Sequence, residues 1–374
     1  MSRHPARALA ATLRLRPAGS AASVRDAWRA LDARAAAAAV AWEGGTQWLL
    51  RRLAALGLED AVPEAVGAAL RARASAERAH GLLVDAEADG VLRLLNERGV
   101  PCVAIKGTAR RAAAARYPFA DARDTLDVDL LLPAARVEET WNDLRSRGWD
   151  YVTEPSATPA GHYHPPPLKG PNGIGVELHR STGPGVAPAE AWRRATRAGE
   201  DLVWHGVPVR VPNATELLWH GLAHAVQMGP AGFRLRYFLD GASIMASGAA
   251  LDWELVASRL AAGDEADPRL ARAWLAAAAD LAGPPPVPAA ADGGFDLERA
   301  LAWRLRVLAG GDGAFRERLL EEGTRAELGV GTTPVVAGTG PFRQARRWVA
   351  GRVARAAYRA WRTTAGPPPG EGAA

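Results

Sequence analysis

Cysteine is almost absent from this chain: Cys102 is the only one in 374 residues. That excludes an internal disulfide framework and any cysteine-rich zinc site. Long apolar runs are absent too. None approaches the roughly 20 residues needed to span a bilayer, and the alanine-rich stretch Ala35 to Trp42 is far shorter. The opening MSRHPARALAATLRLRPAGS places arginines inside what would be the apolar segment of a secretory leader, so a cytoplasmic protein is expected. Lysine is nearly missing as well. Among 46 basic residues only Lys106 and Lys169 are lysines. Where arginine has taken over almost every cationic position, a retained ammonium is a candidate for a role that a planar guanidinium does not fill.

The net charge of +5 is local. Residues 341–362 hold seven arginines and no acid, and the remainder has 39 basic against 41 acidic groups. The body is therefore near neutral. The run FRQARRWVAGRVARAAYRAWR sets its arginines against Trp348, Val349, Val353, Tyr358 and Trp361, a basic amphipathic helix. Such a helix suits an anionic partner (nucleic acid, an acidic protein or a membrane surface) or packs its aromatic side at home with the arginines solvated.

With 48% apolar residues, the length predicts two or three domains. Residues 22–100 carry apolar positions at three- and four-residue spacing. Gly44-Gly45 and Pro63 punctuate them into about four helices, the last from Ala76 to Arg98 and stopped at Gly99. Short β-rich runs follow: Val100 to Ile105, Thr125 to Leu132, Trp149 to Thr153, Ile174 to His179, and Val203 to Val211 as one strand. Helices are expected over Thr108 to Arg116 and Val137 to Arg147, and a Pro/Gly/His-rich arm over Pro155 to Gly175. Asn213 with Glu216 reads as a capping box, and Asp252 as a second helix cap. Residues 283–294 read as a linker. The boundaries are an N-terminal helical region at 1–90, an α+β core at 91–212, a C-terminal helical domain at 213–340, and the basic helix and tail at 341–374.

Chemistry concentrates in the core. Asp127 and Asp129 alternate on a strand, so both carboxylates share one face while Val128 and Leu130 take the other. Two carboxylates that close repel unless a cation lies between them, and Mg²⁺ is the natural partner of oxygen ligands and phosphates. An edge strand with two solvated aspartates is the plainer alternative. Lys106-Gly107 opens a helix, where the helix dipole, the ammonium and a glycine together suit a phosphate. Arg123 is four residues before Asp127, able to reach a phosphate or to pair with Asp124 or Asp127. Glu177 on a later strand offers a third carboxylate, and His179 shares its face.

The run IKGTARRAAAARYPFADARDTLDVDLLLP resembles the uncharacterised nucleotidyltransferase family: a lysine-glycine pair, a tyrosine, then an arginine four residues before an Asp-x-Asp strand. The block GVELHR after His164 to Leu168, and the later His224 with Arg236 and Asp240, resemble that family's further blocks over roughly residues 90–260. The resemblance implies a polymerase-β-like core, a small mixed sheet flanked by helical regions. It implies a Mg²⁺-dependent nucleotidyltransferase moving a nucleoside monophosphate from an NTP, ATP by expectation, to a hydroxyl of a small-molecule, peptide or protein acceptor. Asp127, Asp129 and Glu177 would be the catalytic residues and ligands of two Mg²⁺ ions, and Lys106, Gly107 and Arg123 the nucleotide contacts. His164 and His179 are expected on the substrate side. The Lys-Gly order departs from the superfamily's glycine-serine or glycine-glycine element. A catalytically inactive binding module of the same fold, and an adaptor acting through the arginine helix, are the competing readings. His220 and His224 have zinc-like spacing, but Gly221 stands where a zincin needs glutamate, so packed histidines are expected.

Overall fold

A computed structural model describes residues 4–15, 21–29, 32–152, 162–263, 265–283, 297–309 and 316–328, with isolated positions between 354 and 360. Helices come first: α1 (His4–Leu13), α2 (Ala21–Arg29), α3 (Ala33–Trp42), α4 (Thr46–Ala55) and α5 (Glu64–Glu97). Local chemistry sets their limits. Asp32 caps α3 by accepting the Ala35 N–H at 3.0 Å. Pro63 precedes the first turn of α5, and Gly99 at φ 60° takes the left-handed conformation past its end. At 34 residues, α5 is about 50 Å long and starts well before the Ala76 read from sequence. Its buried positions, among them Leu70, Ala74, Val84, Ala88, Val91 and Leu95, recur at helical spacing.

The sheet has seven strands: β1 (Val103–Ala104), β2 (Asp127–Leu131), β3 (Asp150–Tyr151), β4 (Leu168–Lys169), β5 (Gly175–His179), β6 (Glu200–Trp204) and β7 (Val207–Val211). Their spatial order is β3-β4-β5-β2-β1-β7-β6. The sheet is mixed, with β2/β5 and β1/β7 parallel and the other pairs antiparallel. Helices α6 (Lys106–Ala112), α7 (Ala134–Ser146) and α8 (Pro188–Thr196) connect strands. The α+β class with a small mixed sheet flanked by helices is therefore what this chain adopts.

One expected strand divides. Val203 to Val211 is a hairpin, not a strand: Trp204 pairs with Val207, and His205 (φ 49°) with Gly206 (φ 79°) form the tight turn between them. The Val207/Val209/Val211 alternation belongs to β7 alone. Other strands are shorter than the sequence suggested, β1 covering only Val103–Ala104. Helix α6 begins two residues earlier than expected and ends at Ala112.

Val128, Leu130, Val176 and Leu178 face the main core with Leu92, Leu95, Val137 and Leu144. The opposite face, bearing Asp127, Asp129, Glu177 and His179, looks toward α6 and α9 (Ala214–Gln227). Asn213 caps α9 on the Glu216 N–H at 3.0 Å, while the Glu216 carboxylate pairs with Arg259 and leaves the expected capping box half made. Beyond it lie α10 (Leu235–Ala246), α11 (Trp253–Ala262, capped by Asp252), α12 (Pro268–Ala282), α13 (Leu297–Ala309) and α14 (Arg316–Glu327). Helices α10 and α12 approach closely because Gly241 has no Cβ; one placed there would sit 2.5 Å from the Trp274 ring. One apolar cluster includes Leu9, Trp28, Leu92, Leu178, Leu222, Trp274 and Leu301, so N- and C-terminal helices join the core of the sheet. Among the described residues no helix is long and apolar enough to cross a membrane. The linker at 283–294 and nearly all of the basic helix at 341–362 lie outside the described residues.

Candidate functional site

Strands β2 and β5 run side by side with Asp129 directly opposite Glu177 and Asp127 opposite Gly175. Because side chains alternate, this register alone brings Asp127, Asp129, Glu177 and His179 to one face. Helix α6 delivers the counter-charge. Lys106 Nζ lies 2.7 Å from Asp129 Oδ1 and 3.2 Å from Glu177 Oε2. His179 is fully buried, and its Nε2 lies 3.0 Å from Asp129 Oδ1 and 3.2 Å from Glu177 Oε2. Complete burial removes His179 from the substrate side, where the sequence had put it, and makes it a floor under the two carboxylates.

Electrostatics separate the three acids. Burial works against the charge of Asp129, yet Lys106 and His179 outweigh it and hold that carboxyl far below the usual range. Glu177 follows the same balance and falls to about 2. Asp127 does not. Burial, with Asp129 and Glu177 facing it, pushes its carboxyl up to about 7, and it has no ion-pair partner among the described residues. Lys106 is driven up, burial notwithstanding, by Asp129 and Glu177.

These groups line an open cleft of about 910 Å³, its mouth included, within the size range of small-ligand sites. A cationic wall stands across from the acids. Arg123 Nε is 2.9 Å from Asp240 Oδ2 and Arg110 Nη1 is 2.9 Å from Asp240 Oδ1, so two arginines share one buried carboxylate. Arg123 thus pairs with Asp240 on α10, not with Asp124 or Asp127, and donates Nη1 to the Asp124 carbonyl and Thr125 hydroxyl. Gly107 does not line the cleft. The space over its α-carbon is filled, a Cβ there falling 2.6 Å from Arg123 Nη1 and 2.9 Å from Thr125 Cγ2. Its glycine is required by that packing.

The arm before β4 closes a third side. Tyr163 stacks on His179 at 5.7 Å between ring centroids, and its carbonyl accepts the Arg180 N–H at 2.9 Å. His164 Nε2 reaches within 3.7 Å of Glu177 Oε2, and burial holds that imidazole down at about 4. His224 lines the cleft from α9, lowered to about 4 by burial and then by Lys106. His220 is buried and lines a different cavity, and no ligand cluster among the described residues includes His220 or His224.

Of the residues named from sequence, Lys106, Asp127, Asp129, Glu177, Arg123 and His164 meet in this cleft. Arg110 and Thr108 were missed. Arg110 lies four residues after Lys106 on the same helix face, a spacing that would have found it. Thr108 accepts the Asp129 N–H at 2.8 Å, and nothing in its local sequence signals that.

Ligand atoms of Asp129, Glu177 and His179 lie within 4.8 Å of one another. Together with the carboxyl of Asp127, which makes no ion pair among the described residues, this fits a hard divalent cation held mainly by oxygen.

A small mixed sheet thus presents paired carboxylates of adjacent parallel strands to an open cleft. The family model of uncharacterised nucleotidyltransferases matches residues 29–279, more than half of the chain. The chain belongs to that family, and membership implies an NTP and a divalent metal. No curated protein matches it. Among solved structures it is similar to the antibiotic-resistance factor ANT(2'')-Ia, at 16% identity over 44% of this chain and 83% of that one, with a TM-score of 0.33.

Proposed function

We propose that this protein is a Mg²⁺-dependent nucleotidyltransferase with a polymerase-β-like core, using ATP as donor and a hydroxyl of a small molecule, peptide or protein as acceptor. The observation that carries the proposal is the cross-strand pair Asp129/Glu177 with the half-buried Asp127 beside it and in no ion pair among the described residues. Asp127, Asp129 and Glu177 would hold the divalent metal. When bound, the metal supplies charge neutralisation to the phosphates and acidifies the acceptor hydroxyl.

The chain's own groups do the rest. Arg110 and Arg123, two cations on one aspartate, leave a net positive wall that draws in the triphosphate and stabilises charge on the leaving pyrophosphate. Lys106 fixes the directions of Asp129 and Glu177. Tyr163 and His164 form the side from which the acceptor approaches. The acceptor oxygen forms its bond to the α-phosphorus, the α–β bridging bond breaks, pyrophosphate leaves, and the hydroxyl proton is released to water.

Incorporation of label from α-³²P-ATP into acceptors of a cell extract, with Mg²⁺, tests this. Transfer is expected from the wild-type chain and to fall at least a hundredfold in Asp129→Asn. Retained transfer in that variant removes the aspartate pair from the reaction. A second reading, nucleotide binding without turnover, is supported by the ammonium already seated between Asp129 and Glu177. Tight ATP binding with no transfer to any acceptor favours it.

A further inference from the structure

An ammonium bridging the carboxylates of two adjacent strands has the geometry of a bound cation, here supplied by the chain. Several observations mark it as built in. Lys106 holds a left-handed backbone at φ 49°, a conformation uncommon outside glycine that persists only where its surroundings impose it. Those surroundings are specific: Ile105 donates its N–H to the Asp129 carbonyl at 3.1 Å, and Thr108 accepts the Asp129 N–H at 2.8 Å. Helix α6 and strand β2 are thereby locked together on both sides of Lys106. The side chain is 12% exposed and that of Asp129 is 2%, so little water competes for the bond.

Asp129 Oδ1 and Glu177 Oε2 each take Lys106 and His179, so a metal bridging those two oxygens would have to displace donors already there. A compact ammonium fits between two such oxygens where a planar fork does not, and Lys106 is one of two lysines among 46 basic residues.

We propose that Lys106 takes the place of one of the two cations that a carboxylate triad of this kind would otherwise hold, so that the site binds a single divalent ion on its Asp127–Asp129 side. The proposal rests on the nucleotidyltransferase reading above and changes one part of it: Glu177 serves as the counter-ion of Lys106. Charge agrees. Three carboxylates, one ammonium and one divalent ion are neutral together before any nucleotide enters, so Lys106 supplies positive charge that a second ion would otherwise bring.

Mn²⁺ is the probe. Titrated into the full chain and followed by electron paramagnetic resonance, with and without a non-hydrolysable ATP analogue, it is expected to occupy one site per chain with the six-line spectrum of an isolated ion. Lys106→Met is expected to take two, giving the exchange-coupled signal of ions about 4 Å apart. A coupled pair in the wild-type chain overturns the role of Lys106 while leaving the metal-dependent reading intact. So does a single ion in a Lys106→Met chain that keeps its circular dichroism and cooperative melt. Should Lys106→Met fail to fold, the wild-type count decides alone. No retained Mn²⁺ in either chain overturns the metal reading itself, and this proposal with it.

Discussion

Asp240 is the hinge of the cationic wall, and Asp240→Asn isolates its charge with almost no change of shape. Its carboxylate faces Arg110 and Arg123 at 2.9 Å each, and both it and Arg110 are buried. Burial already lowers the Arg110 guanidinium from its usual value, and Arg123 lowers it further. Without the aspartate, two like charges remain in one hollow with no compensation. Removing one partner of a buried ion pair costs about 3–5 kcal/mol. A value near ~4 kcal/mol at the low end of the per-kcal shift for large domains gives a melting temperature lowered by roughly 8 °C. Urea denaturation and thermal melts read this directly. Adding Arg110→Met to Asp240→Asn should recover part of the loss, since the second change then removes a stranded charge. A loss under about 1 kcal/mol, or additive costs in the double variant, would refute the view that one carboxylate neutralises both arginines.

Gly107→Ala pushes a methyl toward Arg123 Nη1 and Thr125 Cγ2. It should cost ~1–3 kcal/mol in chemical denaturation through overpacking, and a neutral result would show that Arg123 yields freely. Asp127 makes an identifiable contribution to the pH response of the metal-free chain. Its carboxyl stands up at about 7, so the native state binds that proton more tightly than the unfolded one. The contribution of Asp127 to stability therefore falls as pH rises from about 4 to about 7, opposite in sign to that of His164 and His224, whose lowered values make their contribution rise with pH. Asp127→Asn should raise stability at pH 8 by on the order of 2 kcal/mol and remove that fall from the profile; an unchanged slope in melts from pH 5 to 8 contradicts the assignment.

The parity of the Asp127/Asp129 pair and the existence of a third acid on a later strand were legible, because alternation is a local property of extended chain. That β5 lies parallel to β2 with Glu177 against Asp129 was not, since register is fixed by packing across the sheet. The partner of Arg123 lies 117 residues away on α10, and no short-range signal could choose Asp240 over the nearer Asp124 and Asp127. Helix caps at Asn213 and Asp252 were readable because a cap is completed within three residues. The β6–β7 turn was overlooked for want of an Asn-Gly or Asp-Gly pair, His205 taking a left-handed conformation that its residue type does not advertise. His179 was assigned to the substrate side for its parity with Glu177, and burial, which parity does not report, overruled that.

Helix α5 braces the strand region at several places along its length. Glu87 accepts the Asn172 N–H in the β4–β5 turn at 2.9 Å, Asp85 receives Arg111 of α6, and Asn96 donates to the Pro208 carbonyl on β7 at 3.0 Å. One unbroken rod thus spaces the supports of the acidic strands. A nucleotide bound as proposed would meet carboxylates whose mounting is set by a single rigid part, and α6, which carries both Lys106 and Arg110, is tied to that same part through Arg111.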